Sequence, residues 1–271
     1  MDKYTHANCK LWNAWTKIHE NSEFYNLTGF RAGQSSLKSI EAAELGDVGG
    51  KSLLHLQCHF GMDTLSWARL GAQVTGVDLS DEAITLARSL AEELNLEARF
   101  VCADIYELPQ YLDGQFDIVF TSYGVLAWLG NLVPWAQAIA HFLKPGGVFY
   151  MVEIHPFSDT LDWERDKPEL SVRYPYFYSL EPESFDAETS YADPNARHTD
   201  FITSYQWSHS LSDIVNALIG AGLRIEFFHE FPMTVFQQLP FMEQNADGWW
   251  RLPEGLPEIP LLFSLEATKS A

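Results

Sequence analysis

The chain has 271 residues and a net charge of −20 at pH 7, from 17 Lys+Arg against 37 Asp+Glu. Hydrophobic residues make up 46%, enough for a full core, which excludes an intrinsically disordered chain. So acidic a balance weighs against a nucleic-acid partner and against an anionic membrane surface, because both need concentrated Lys and Arg. No apolar run reaches the roughly 18 residues that a membrane span requires, and the N-terminal stretch lacks an apolar signal core. Cys9, Cys58 and Cys102 form no CxxC pair and no metal-type spacing. Neither a metal site nor a disulfide framework is expected, and a reducing cytoplasm fits.

The N-terminal segment, residues 1–49, holds Trp12, Trp15, Phe24, Tyr25 and Phe30, with loose helical periodicity. From residue 50 short apolar runs alternate with helical patterns. Ser52–Gln57 predicts a first strand and Asp63–Leu70 a helix. Gln73–Asp78 predicts a second strand. Ser80 can cap the next helix, with Asp81 and Glu82 in its favourable first turn. Arg99–Ala103 and Phe116–Ser122 read as the third and fourth strands. Asn131–Leu143 reads as a helix, and Lys144–Gly147 as a sharp turn into a fifth strand at Val148–Ile154. Residues 156–206 fit neither period. They are rich in proline and in aromatics such as Tyr174, Phe185, Tyr191, Phe201 and Tyr205. They read as a partly β cap over the carboxyl edge of the sheet. From residue 207 regular structure returns: a helix at Leu211–Ile219, a strand at Leu223–Phe231 and another at Leu261–Thr268. This alternation predicts an α/β fold, a parallel sheet with helices on both faces.

Ligands of such sheets bind at the carboxyl ends of the strands. Four ends therefore matter: Gln57–Gly61, Asp78–Ser80, Ala103–Ile105 and Ser122–Tyr123. A tight strand-to-helix loop followed about 20 residues later by a carboxylate suits NAD or another adenosine cofactor. Asp78 can equally be a helix-capping carboxylate, and Asp104 a turn residue before Pro109.

The order Leu53–Gly61 (LLHLQCHFG), Val77–Ser80 (VDLS), Cys102–Asp104 (CAD), Phe116–Val119 (FDIV) and Leu143–Gly147 (LKPGG) resembles the class I S-adenosylmethionine-dependent methyltransferases. The HLQCHFG variant looks like a bacterial subgroup of them. The resemblance implies a Rossmann-like seven-stranded sheet, mostly parallel, with an antiparallel last strand. It divides the chain into a lid segment (1–49), a cofactor-binding core (50–155 and 207–271) and a cap insertion (156–206). It also implies roles. Gln57, Cys58, His59, Phe60 and Gly61 would wrap the methionine part of S-adenosyl-L-methionine, with Thr64 beside them and Asp63 on the ammonium. Asp78 would hold the ribose hydroxyls, next to Leu79 and Ser80. Asp104, with Ala103 and Ile105, would meet the adenine. Ser122 and Tyr123 would close the site near the methyl, and Tyr25 would lid the cofactor. The chain departs from the family where His55 replaces a common acid and where Gln57 and His59 replace common glycines.

A general base is needed only for a protonated acceptor. Glu153, His155, Tyr191, Trp207 and His209 are candidates. His155 at the end of the fifth strand and His209 before a helix are the two expected to serve. The acidic surface and the aromatic cap point to a small-molecule methyl acceptor, with a monomer or homodimer as the working unit. A cofactor-binding protein without turnover and a nicotinamide oxidoreductase are the competing readings; the lack of GxGxxG weighs against the latter.

Overall fold

The computed structural model describes residues 1–187, 189–197 and 202–270, so Phe201 lies outside the described residues. Helix α1 (Lys3–His19) opens the chain, capped by Asp2, whose side chain accepts from Tyr4 and Thr5 N–H. Its buried positions are Asn8, Leu11, Trp15, Thr16 and His19. That spacing is helical, but three of the five residues are polar, which is why hydrophobic periodicity alone looks loose there. Helices α2 (Leu27–Arg31) and α3 (Ser39–Leu45) follow.

The core then alternates β1 (Ser52–Leu56), α4 (Met62–Arg69), β2 (Gln73–Asp78), α5 (Asp81–Glu93), β3 (Ala98–Cys102) and β4 (Phe116–Thr121). Helix α6 (Leu132–Phe142) leads into β5 (Leu143–Ile154), which begins before the expected Val148 because Leu143 already pairs with Phe116. The register shifts between Phe116 and Ile118, where the strand absorbs the expected turn, with Gly146 at φ 77°. A hairpin of β6 (Glu183–Ala187) and β7 (Ile202–Gln206) lies in the cap region. After α7 (Leu211–Gly220) come β8 (Leu223–Phe231), a short pair β9 (Glu243–Gln244) and β10 (Trp250–Arg251), and β11 (Leu262–Lys269).

Seven strands make one sheet in the order β3-β2-β1-β4-β5-β11-β8. Strand β11 runs antiparallel between β5 and β8, as the family resemblance implies. The fold is Rossmann-like, with helices on both faces. Leu53, Leu54 and Leu56 on β1 are all fully buried, the signature of a parallel strand covered twice. Successive residues alternate faces. Leu54 joins the core with Val119, Trp135 and Ile139 of the α6–α7 side, whereas Leu53 joins Ile118, Phe120 and Trp67 on the other. Each such side chain contributes roughly 1.5–3 kcal/mol by leaving water.

Asn8 ties α1 to the hairpin: its Nδ2 donates to Tyr205 O at 2.8 Å and its Oδ1 accepts from Tyr205 N–H at 2.9 Å. Trp15 Nε1 donates to Thr189 O at 3.0 Å. The N-terminal helix is thus fastened to Thr189 and to β7.

Candidate active site

The loop between β1 and α4 is built by backbone geometry. Gln57 and His59 have φ of 55° and 50°, the left-handed region that side-chain-bearing residues rarely occupy. These are the two positions where the family commonly carries glycine, and the backbone keeps a glycine-type path without it. Gly61, at φ 77°, must be glycine: an added Cβ would lie 2.6 Å from the Phe100 ring. The strained turn persists because its surroundings hold it. Cys58 N–H donates to Val77 O, and His59 N–H donates to Asp78 Oδ2 at 2.7 Å.

Asp78, at the carboxyl end of β2, also accepts from Ser80 N–H through Oδ1 at 2.9 Å. Each carboxylate oxygen retains acceptor capacity for a further donor. Burial pushes its pKa up to about 6, with the backbone donors opposing. Asp104 accepts from Tyr106 N–H through Oδ1 at 3.0 Å. A cleft runs between these groups, lined by Gln57, Asp78, Leu79, Asp104, Ile105 and Trp128. Ala103 also lines it, while Ser80 caps α5 through Ala83 N–H and donates its hydroxyl to Asn13.

His55 takes no place in the cleft. It is buried on β1, its Nδ1 2.8 Å from Thr64 Oγ1 and its Nε2 3.3 Å from Ser122 Oγ. Burial lowers its pKa to about 3, so it is neutral. Ser122 Oγ donates to Asp63 Oδ2 at 3.3 Å, and Ser36 Oγ donates to Asp63 Oδ1 at 2.6 Å. Both Asp63 oxygens are therefore engaged within the protein. Burial raises its pKa, opposed by those two hydroxyls and by Lys38. The Tyr123 hydroxyl donates to Glu41 on α3 at 2.6 Å. Cys58 is buried, and burial pushes its thiol well above the usual range.

Over the loop stands a set of rings. Tyr25 lies 4.8 Å from Phe60 and 5.6 Å from His59, between ring centroids. Its hydroxyl meets that of Tyr191 at 2.5 Å. His59 Nε2 lies 2.8 Å from His19 Nδ1, and His19 Nε2 lies 2.5 Å from Ser190 Oγ. Burial lowers the pKa of His19 to about 3 and that of His59 well below its ordinary value. Sequence reasoning does not single out His19 or Ser190. His19 reaches His59 of the β1–α4 loop across 40 positions of chain and Ser190 across 171, and no local motif marks them.

The candidate bases are placed differently from one another. His155 Nδ1 accepts from Phe157 N–H at 3.0 Å, and its Nε2 lies 3.0 Å from Glu230 Oε1. Burial lowers its pKa, opposed by Glu230. His209 Nε2 donates to Leu129 O at 2.7 Å, and its ring stacks on Tyr178. Burial lowers its pKa too, opposed by the Leu129 carbonyl. Glu153 is a backbone organiser: its carboxylate accepts N–H groups of Gly124, Val125, Leu126 and Ile154. Among the described residues no group of three or more His, Cys, Asp or Glu could hold a metal ion, and no helix is long and apolar enough to cross a membrane.

Residues 54–151 match the family model described as a methyltransferase domain. The ubiquinone biosynthesis O-methyltransferase of Shewanella pealeana is 34% identical over 110 residues, 41% of this chain and 46% of that protein. Its namesake from Psychrobacter cryohalolentis is 30% identical over 163 residues, 57% of this chain and 63% of that protein. The chain thus spans between about half and three fifths of these curated relatives. Among solved structures, an S-adenosylmethionine-dependent methyltransferase from Mesorhizobium loti is similar with a TM-score of 0.60 and 21% identity, over 84% of this chain and 94% of that one. Another from Clostridium acetobutylicum has a TM-score of 0.57 and 13% identity, over 96% and 100%. At such identities the likeness speaks for the fold.

Proposed function

We propose that the chain is an S-adenosylmethionine-dependent methyltransferase acting on a small-molecule acceptor in a reducing cytoplasm. One observation carries the reading. Asp78, buried at the end of β2, is locked to a left-handed β1–α4 loop and faces a cleft that ends at Asp104. The match of residues 54–151 to a methyltransferase domain supports it.

The residues present suit the cofactor. Asp78 has acceptor capacity left for two ribose hydroxyls, and Asp104 Oδ2 for the adenine amino group, with Leu79 and Ile105 against the ring. When bound, the cofactor supplies a sulfonium methyl already activated for in-line displacement. The chain's own task is then to orient an acceptor and keep water out, which is catalysis by positioning. Tyr25, Tyr191 and the α1 tryptophans supply the cover. The loop after β4, held by Glu153, fixes the wall beside Ser122. For a protonated acceptor the proton needs a free nitrogen. The His155 Nδ1 lone pair is taken by Phe157 N–H and its Nε2 lies against the Glu230 carboxylate without a hydrogen bond, whereas His209 donates only through Nε2, which makes His209 Nδ1 the base of this reading.

The acidic surface and ring-rich cover favour a small acceptor over RNA. The test is transfer of label from methyl-tritiated S-adenosylmethionine to a cell extract, followed by fractionation. Label in the low-mass fraction is the expected result. Label in RNA or protein would overturn the small-acceptor part, and cofactor binding with no transfer at all would leave a binding protein.

A further inference from the structure

Asp159 stands just past the carboxyl end of β5, in the short turn Ser158–Thr160. It is exposed, yet burial pushes its carboxyl up to about 8, and the neighbouring charge of Glu153 adds to the rise. A side chain that is both accessible and desolvated lines a recess rather than the outer surface. Its hydrogen bonding is one-sided. Gln238 Nε2 donates to Asp159 Oδ1 at 3.2 Å and to Ser158 Oγ at 3.2 Å, and the Ser158 hydroxyl donates to His155 O at 2.8 Å. Asp159 Oδ2 has no partner among the described residues, and no Lys, Arg or His among them pairs with this acid.

Two routes tie the carboxylate to the candidate site. Glu153, close enough to act on Asp159, accepts the N–H groups of Gly124, Val125 and Leu126. Val125 O in turn receives Gln57 Nε2, on the wall of the cleft. On the other side, Gln238 N–H donates to Phe236 O at 2.9 Å, and the Phe236 ring lies 6.0 Å from that of Tyr191. Tyr191 shares the character of Asp159: it is 42% exposed, while burial pushes its hydroxyl up to about 12. Asp159 is thus joined to the loop after β4 through Glu153, and to the ring cover through Gln238 and Phe236.

A carboxylate withdrawn from water is ordinarily paired with a cation. Here a second acid stands near it instead, and aromatic rings lie on the segment that holds it. A carboxylate oxygen among rings is the chemistry that recognises an organic ammonium, by a charge-assisted hydrogen bond and by cation–π attraction. We infer that Asp159 sets specificity on the acceptor side, and that the acceptor carries a protonated amine held by Asp159 Oδ2. The inference rests on the methyltransferase reading above. The ammonium is the handle and not the methylated atom, because a protonated nitrogen has no lone pair to offer the sulfonium methyl. The nucleophile is a second group of the same molecule.

The test splits a low-mass cell extract on a sulfonate resin at about pH 2, where carboxylates are neutral and amines are charged. The retained pool holds the amines. Each pool is offered to wild type and to Asp159→Asn with methyl-tritiated S-adenosylmethionine, and S-adenosylhomocysteine affinity is measured in parallel. Wild type should label the retained pool. Asp159→Asn keeps the shape and removes the charge, so it should need about tenfold or more of that pool for half-saturation, with S-adenosylhomocysteine affinity within about twofold of wild type. Its rate should approach that of wild type as the pool is concentrated, which a merely structural role would not give. Label confined to the unretained pool, or half-saturation unchanged in Asp159→Asn, would overturn the inference and leave the methyltransferase reading standing. A wild-type chain that binds no S-adenosylhomocysteine, or that labels neither pool, would overturn that reading and the inference with it.

Discussion

The backbone N–H of His59 donates to Asp78 Oδ2 at 2.7 Å. This bond joins the loop after β1 to the carboxylate after β2, so the two halves of the proposed cofactor site are set by each other. A left-handed residue without a glycine is held in place by a buried acid, and the acid in turn has one oxygen aimed by that residue.

The first prediction concerns pH. Asp78 titrates near 6 because burial penalises its charge. Ribose hydroxyls donate, so the ionised form binds them better. Affinity for S-adenosylhomocysteine should fall as pH drops through 6, approaching about tenfold per unit for a single proton. Glu41 and Glu153 also titrate, each near 7, and are common to wild type and Asp78→Asn. The difference between the two proteins across pH 5–7 isolates Asp78, and parallel profiles would remove it from the site. Its effect on folding has the opposite sign. The folded state holds the proton more tightly, so this group's contribution to stability improves as pH falls from about 6 toward about 4.

Gly61 and Gly146 separate crowding from backbone strain. Both have φ of 77°, but an added Cβ meets the Phe100 ring at 2.6 Å at Gly61 and nothing within 4 Å at Gly146. Gly146→Ala should cost about 1–2 kcal/mol. Gly61→Ala should cost about 1–3 kcal/mol more, from overpacking. Urea denaturation of both variants checks the order; equal losses would mean that Phe100 moves aside freely.

Glu153→Gln replaces a carboxylate that receives four backbone N–H groups by an amide with one acceptor oxygen. Measured above pH 7, where burial leaves the group ionised, the loss should be about 1.5–3 kcal/mol in stability, since hydrogen bonds to a charged group are the strong ones. A stability unchanged from wild type would show that the 124–126 backbone is held by something else.

Asn8 makes two reciprocal bonds to the Tyr205 backbone and so fastens α1 to the β6–β7 hairpin. Asn8→Ala should raise hydrogen exchange in α1 and β7 while leaving β1–β5 protected, because the fastening is local. Unchanged exchange in α1 would mean that its tryptophans alone hold it down.

The order of strands was legible because buried parallel strands leave short apolar runs, such as Leu53–Leu56 and Ile118–Phe120, punctuated by capping residues such as Ser80. The positions of Asp78 and Asp104 after β2 and β3 were legible for the same reason, since the strands that carry them were. Helix α1 was less so, since its buried stripe includes Asn8, Thr16 and His19. The left-handed turns at Gln57 and His59 were hidden because neither residue advertises that conformation. The resemblance only showed that glycines were missing. The His19–His59–Ser190 chain was invisible, as it exists only once residues far apart in sequence pack over one loop. His155 and His209 show the limit of placement by strand end. Both come near the carboxyl edge, but which ring nitrogens are free depends on Phe157 N–H, Glu230 and Leu129 O, none of them predictable from spacing.

Calorimetric titration of S-adenosylhomocysteine into wild type and Asp78→Ala tests the central claim most directly. The account predicts one saturable site per chain in wild type, weakened by about tenfold or more in the variant through loss of charge-assisted acceptors. No binding by the wild-type chain, or an affinity that the loss of Asp78 leaves unchanged, would contradict it.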